Sequence, residues 1–219
     1  MALKLHGFAV SNYYNMVRLA LELKGIDYET VQRFPSQDED WLALSPLGKV
    51  PCLETPEGTL AETIVILEYL EECYPETPLI GGSAFERAQV RQLMQIIKLY
   101  IELPARRLYS GVFFGGQNPA WVVDDVKPVL AKGVRALNTL GQFGPFLTGP
   151  AVSAADIMLL YTLDLAAVVA RKTYDWDLMA AIDGSSALVA TLNENPIVQR
   201  IADEKQAEMA AFMAMRAAK

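Results

Sequence analysis

Every strand-like segment of this chain lies before residue 62, and that asymmetry limits what the chain can fold into. Ala2–Phe8 and Tyr28–Gln32 alternate apolar and polar residues as half-buried strands do. Val50–Glu54 and Thr59–Ala61 flank TPEG, a turn with Pro and Gly placed for a hairpin. Between the first two strands, Asn12–Lys24 reads as a helix: Tyr13, Val17, Ala20 and Leu21 share a face, Arg18 and Glu22 form an i,i+4 pair, and Gly25 stops it. The polar segment 34–44 reads as an irregular loop with a short helix, and Glu62–Tyr74 is a second clear helix, closed by Pro75. The order β-α-β then β-β-α specifies an α/β domain with a mixed sheet over residues 1–76.

Pro75, Pro78, Gly81 and Gly82 punctuate a linker at 77–84, and beyond it the strand patterns vanish. Helical patterns run over about 84–114, 121–143, 154–170, 185–193 and 196–215, so residues 85–219 read as an all-α domain. Pro104 is expected to kink the first of these helices.

Composition removes several function classes. A net charge of −7 leaves no general basic face for nucleic acid. Residues 1–80 hold 5 basic and 13 acidic side chains, whereas the other 139 hold 14 and 13, which again suggests two parts. The longest apolar run, IMLLYTLDLAAVVA (Ile157–Ala170), carries Asp164 and is too short to span a bilayer, so no membrane partner is read. Lys4 and His6 interrupt the apolar start, so no signal peptide is read there. Two cysteines point to a reducing cytoplasm, and with a single histidine they make no zinc site, so no metal is implied.

Three motifs occur in order: SPLGKVPCL, with Gly48 and Val50-Pro51 before the third strand; AETIVILEYLEECYP, with Glu62-Thr63 at a helix start; and TGPAVSAADIMLL, with Ser153 and Asp156 opening a later helix. Together with the α/β-then-α order, they resemble the cytosolic glutathione transferases over essentially the whole chain. The resemblance implies a thioredoxin-like N-terminal domain, a helical C-terminal domain, a homodimer, and glutathione as co-substrate. Only ~5–6 % of X-Pro bonds are cis, so it is the resemblance that implies a cis Val50–Pro51 bond, turning the Val50 amide groups toward the tripeptide backbone. Glu62-Thr63 sits where a helix N-terminus attracts a carboxylate. There Thr63 would hold the γ-glutamyl carboxylate and Glu62 its ammonium, although an acid and a hydroxyl at this place also serve as ordinary caps. Lys49, and more weakly Gln37, would meet the glycyl carboxylate. Ser153 and Asp156 read as a capping box with a structural role.

The resemblance implies a hydroxyl near the end of the first strand that activates the bound thiol. Aligning VRLALELKG with the family's first helix puts Phe8 where one group has Tyr, and Phe has no proton to donate. In the serine groups, such as theta and phi, the Ser stands just before the first helix, where Ser11 stands. Ser11 would then donate to the glutathione sulfur, while Asn12 is available to cap the helix. Tyr13 and Tyr14 stand as rivals for the sulfur contact. Lowering a thiol pKa by two units takes ~2.7 kcal/mol, within reach of one charge-assisted hydrogen bond and a helix end.

For the second substrate, LYIELPARRLYSGVFF offers Tyr100, Arg106, Tyr109 and Phe113, with Tyr14 from the first domain, as the lining of a pocket for a hydrophobic electrophile. Taken singly, most of these also fit core positions at helical spacing. The implied reaction is transfer of glutathione to that electrophile, as in detoxification. A glutathione-dependent peroxidase, isomerase or dehalogenase and a non-catalytic glutathione-binding regulator are the alternatives. A dithiol redox enzyme is disfavoured because no C-x-x-C occurs.

Overall fold

A computed structural model describes residues 3–217, with side chains for all of these except 210 and 214–217. Ala2, expected to open the first strand, lies outside the described residues. The elements begin β1 (Leu3–Gly7), α1 (Asn12–Leu23), β2 (Tyr28–Gln32), α2 (Glu39–Leu42), β3 (Cys52–Thr55), β4 (Gly58–Ala61) and α3 (Thr63–Cys73). The sheet order is β2-β1-β3-β4, with β1 parallel to β2 and the other two pairings antiparallel. The mixed sheet expected from the strand order is therefore present. α1 and α3 bury Met16, Leu19, Leu21, Ile66 and Leu70 together with Leu5 and Leu53 of the sheet, the apolar centre of this part.

The helices that follow are α4 (Ala84–Ile96), α5 (Leu103–Arg106), α6 (Tyr109–Phe113), α7 (Ala120–Leu140), α8 (Ala154–Tyr174), α9 (Leu178–Ala181), α10 (Ser185–Asn193) and α11 (Pro196–Ala217). α4 and α5 are joined by a π-helical turn, Ile97–Glu102. The disturbance expected at Pro104 is thus a change of helical hydrogen bonding ahead of the proline. Pro104 itself is the second residue of α5, directly after this turn. The capping box of α8 has the structural form expected. Asp156 accepts Ser153 N–H (2.8 Å), Ser153 O–H (2.6 Å) and Leu147 N–H (2.7 Å), all buried. No helix among the described residues is long and apolar enough to cross a membrane.

The chain divides into two compact units, residues 1–79 with 193–219, and residues 80–192. The first boundary lies within 77–84, and α11, at the end of the 85–219 segment, groups with the sheet-bearing unit. The reason is in its polar stripe. Arg200 pairs with Glu22, Glu204 Oε2 lies 2.6 Å from Arg18 Nη2, and Phe212 stacks on Phe8 with centroids 5.3 Å apart. A chain segment belongs with the partners of its side chains, and these lie on α1 and the loop before it.

Candidate active site

Ser11 is the N-cap of α1, with extended backbone (φ −75°, ψ 117°), and its Oγ accepts the Tyr14 N–H at 3.3 Å. Asn12 is already the first helical residue and is buried, so the expected division in which Asn12 caps and leaves Ser11 free is corrected. Capping does not use up the hydroxyl proton. A hydroxyl has two lone pairs and one proton, so accepting from Tyr14 leaves that proton to donate. Tyr14 is buried, and its ring fills the space beside Gly7, where a Cβ would come within 2.1 Å of Tyr14 Cδ2. Burial holds the Tyr14 hydroxyl above its ordinary pKa; Arg18 opposes this, and Glu208, Glu204 and Glu22 reinforce it. It is a neutral phenol packed on the sheet.

The sheet register collects the other sequence candidates of the first unit. β1 ends at Gly7, and His6 pairs with Cys52, so Val50-Pro51 enters β3 beside the exit from β1. Cys52 in turn pairs with Ala61, which puts Glu62-Thr63 at the same end. Gly7 pairs with Gln32, so the loop carrying Phe34 and Gln37 leaves β2 there too. Ser11, Gln37, Lys49, Val50, Pro51, Glu62 and Thr63 thus all follow or precede strands at one end of one sheet. The Val50–Pro51 bond is cis.

Local devices tighten this arrangement. Gly48, at φ +64°, has no room for a Cβ, which would sit 2.1 Å from Ser36 O and 2.3 Å from Gln37 Nε2. Ser36 N–H donates to Gly48 O at 3.0 Å, so Gln37 is brought against the turn that carries Lys49. Buried Ser45 holds that turn, donating from Oγ to Lys49 O at 2.8 Å. Lys49 and Gln37 are exposed. Glu62 adopts φ +69°, a conformation a side chain disfavours, and makes no side-chain cap of α3. Its exposed carboxylate is therefore not explained as a cap. Thr63, the first residue of α3, is buried.

In the second unit, Arg106 lies over the Tyr109 ring (4.9 Å) and donates from Nε to the buried Glu102 at 2.8 Å. Tyr109 meets Phe113 edge-on, with centroids 5.1 Å apart. Burial raises the Tyr109 hydroxyl pKa, with Glu102 adding to it. These three candidates form one cluster. Tyr100 is 41 % exposed on the π-helical turn, with its backbone against Gly133 of α7.

Sequence reasoning missed Asn15, Phe34, Glu208 and Phe212. Asn15 is fully buried and donates from Nδ2 to Ala9 O at 2.7 Å. Glu208 Oε2 accepts the Ala9 N–H at 3.3 Å. Phe8, Phe34 and Phe212 form a ring trio. The available signal was the four-residue spacing of Arg200, Glu204, Glu208 and Phe212, one stripe along α11.

Residues 5–78 match the family model described as the glutathione S-transferase N-terminal domain. A glutathione S-transferase of Pseudomonas putida strain F1 is 43 % identical over 213 residues, 97 % of each chain. The chain belongs to the glutathione S-transferase family. Its four-stranded sheet with α1 and α3 is the thioredoxin-like domain of that family. Among other glutathione S-transferases, a zeta-class protein of Euphorbia esula is 35 % identical over 164 residues, 72 % of each chain. The solved holo structure of a maleyl pyruvate isomerase, a bacterial zeta-class glutathione S-transferase, is 26 % identical, with TM-score 0.70, covering 90 % of this chain and 95 % of that one.

Proposed function

We propose that this protein is a serine-type glutathione transferase that joins glutathione to a hydrophobic electrophile, as in detoxification. The observation that carries the reading is the sheet register, which brings Ser11, Val50-Pro51 and Glu62-Thr63 to one sheet end. Glutathione lies along that end. Thr63 and the N-terminus of α3 receive its γ-glutamyl carboxylate, the Glu62 carboxylate its ammonium, Val50 its cysteinyl backbone, and Lys49 with Gln37 its glycyl carboxylate. The strained backbone of Glu62 supports a ligand role, because such conformations gather where a site demands them.

Ser11 Oγ–H donates a hydrogen bond to the sulfur and keeps its proton, which stabilises the thiolate, and the thiol proton leaves to solvent. The thiolate then attacks the electrophilic carbon; a C–S bond forms as the bond to the leaving group breaks and takes its electron pair. Tyr14 is the rival hydroxyl, and its burial against Gly7 favours Ser11. The Arg106–Tyr109–Phe113 cluster, with Tyr100, is the aromatic surface for the second substrate. The protein works as a homodimer in the cytoplasm, with no metal. Exposed Leu47 and Val65 on the first unit and two unbridged cysteines support those assignments.

A second reading, glutathione-dependent isomerisation, is favoured by the zeta-class likeness. In it the thiolate adds to a conjugated cis double bond, the adduct rotates, and the thiolate is expelled. A panel holding an aryl halide, a hydroperoxide and a cis-enone acid separates the readings. Turnover of the halide supports transfer, and turnover of the cis-enone acid alone supports isomerisation. No turnover of any member, with glutathione bound, leaves the non-catalytic binding protein.

A further inference from the structure

The loop between β1 and α1 decides where the Ser11 hydroxyl stands, and it is held from an unexpected side. Ala9 is fixed at both of its flanking peptides. Its N–H is accepted by Glu208 Oε2 of α11 (3.3 Å), and its C=O receives Asn15 Nδ2 of α1 (2.7 Å). One step on, Ser11 N–H donates to Phe8 O at 3.0 Å, and the Phe8 ring stacks on Phe212 of α11. The four-residue spacing along α11 makes these one docking event. Arg200 pairs with Glu22, Glu204 with Arg18, Glu208 meets Ala9, and Phe212 meets Phe8 and Phe34. Arg18 is almost wholly buried and also bonds Glu22 (3.1 Å), which in turn accepts the Tyr28 hydroxyl (2.9 Å). The register of α11 is therefore set upstream, and Glu208 arrives at Ala9 as a consequence.

We propose that Glu208 is a positioning residue of the thiol site: with Asn15 it clamps Ala9, and the clamped loop presents Ser11 to the glutathione sulfur. This rests on the reading of Ser11 as the sulfur's donor. Glu208 acts through the backbone and does not touch the substrate. The acceptor is what matters, and its charge is secondary, since a carboxylate near the sulfur would by itself disfavour a thiolate.

The test titrates the thiolate absorbance of bound glutathione in wild type, Glu208→Ala, Glu208→Gln and Ser11→Ala, and measures kcat and KM for glutathione. Loss of the clamp in Glu208→Ala is expected to raise the apparent thiol pKa by about one unit and to lower kcat about tenfold, with KM within twofold. Glu208→Gln, whose amide oxygen accepts the same N–H, is expected to recover most of both. Three outcomes overturn the proposal: a Glu208→Ala titration and kcat equal to wild type; a lowered thiol pKa; or a Gln variant no better than Ala. Should Glu208→Ala fail to fold, hydrogen exchange of the Ala9 amide in the wild-type full chain decides. A protected amide that becomes faster in Phe212→Leu supports the clamp, and an amide exchanging at the unprotected rate overturns it. Failure of the Ser11 reading looks different: Ser11→Ala then keeps the full thiolate signal, whatever Glu208 does.

Discussion

Gly48 is the residue that fixes how the Ser36–Gln37 segment packs against the Lys49 turn. Its φ of +64° and the 2.1 Å approach to Ser36 O leave no room for a methyl group. Gly48→Ala is expected to cost ~1–3 kcal/mol in a urea melt. It should also raise the KM for glutathione several-fold, because Gln37 then separates from the Lys49 turn. An unchanged midpoint with an unchanged KM would contradict this account of the turn. At this scale the sequence was informative where chemistry is local. Thr63 at a helix start and Ser11 before a helix follow from neighbouring residues. The roles of Ser11 and Asn12 in capping did not, because both are good caps and the choice turns on a one-residue shift of the helix start. Glu62's positive φ was equally hidden, being imposed by the β4–α3 connection rather than by the residue's own preference.

Among the elements, β1 and β3 carry an ionic contact across the sheet. Glu54 Oε2 lies 3.1 Å from His6 Nε2, and Glu54 Oε1 lies 3.3 Å from Lys4 Nζ. The His6 bond, then the Lys4 bond, hold the Glu54 carboxyl below its usual 4.5. A lowered folded pKa gives stability that is present above the unfolded value and lost as pH falls through the folded one. Wild type should therefore lose more urea resistance between about pH 7 and pH 3 than Glu54→Gln does, and parallel losses would contradict the contact. The strands and α1, α3 and α8 were legible because period-2 and period-3.6 patterns are local. The π-helical turn at 97–102 was not legible as such. Pro104 signals a disturbance, but which hydrogen-bond register absorbs it depends on packing, such as that of Tyr100 on Gly133.

For the whole molecule, the notable departure from the linear order of the chain is the grouping of α11 with the sheet-bearing unit. Contacts separated by nearly two hundred residues, such as Ala9–Glu208, leave no periodic mark between their ends. Arg18→Met removes the buried cation that holds Glu204 and Glu22, and breaking such a pair costs about 2 kcal/mol or more when part of it stays buried. The docking account predicts that amide exchange in α11 accelerates in this variant while that in α10 does not change; equal acceleration in both would contradict it.

The proposed mechanism turns on Ser11 donating the hydrogen bond that stabilises bound glutathione as a thiolate. Titrating the thiolate absorbance of the glutathione complex in wild type, Ser11→Ala and Tyr14→Phe tests it most directly. The account predicts a thiol pKa about two units below that of free glutathione in wild type and Tyr14→Phe, and loss of that lowering in Ser11→Ala. A full thiolate signal in Ser11→Ala, with the loss in Tyr14→Phe instead, would contradict it.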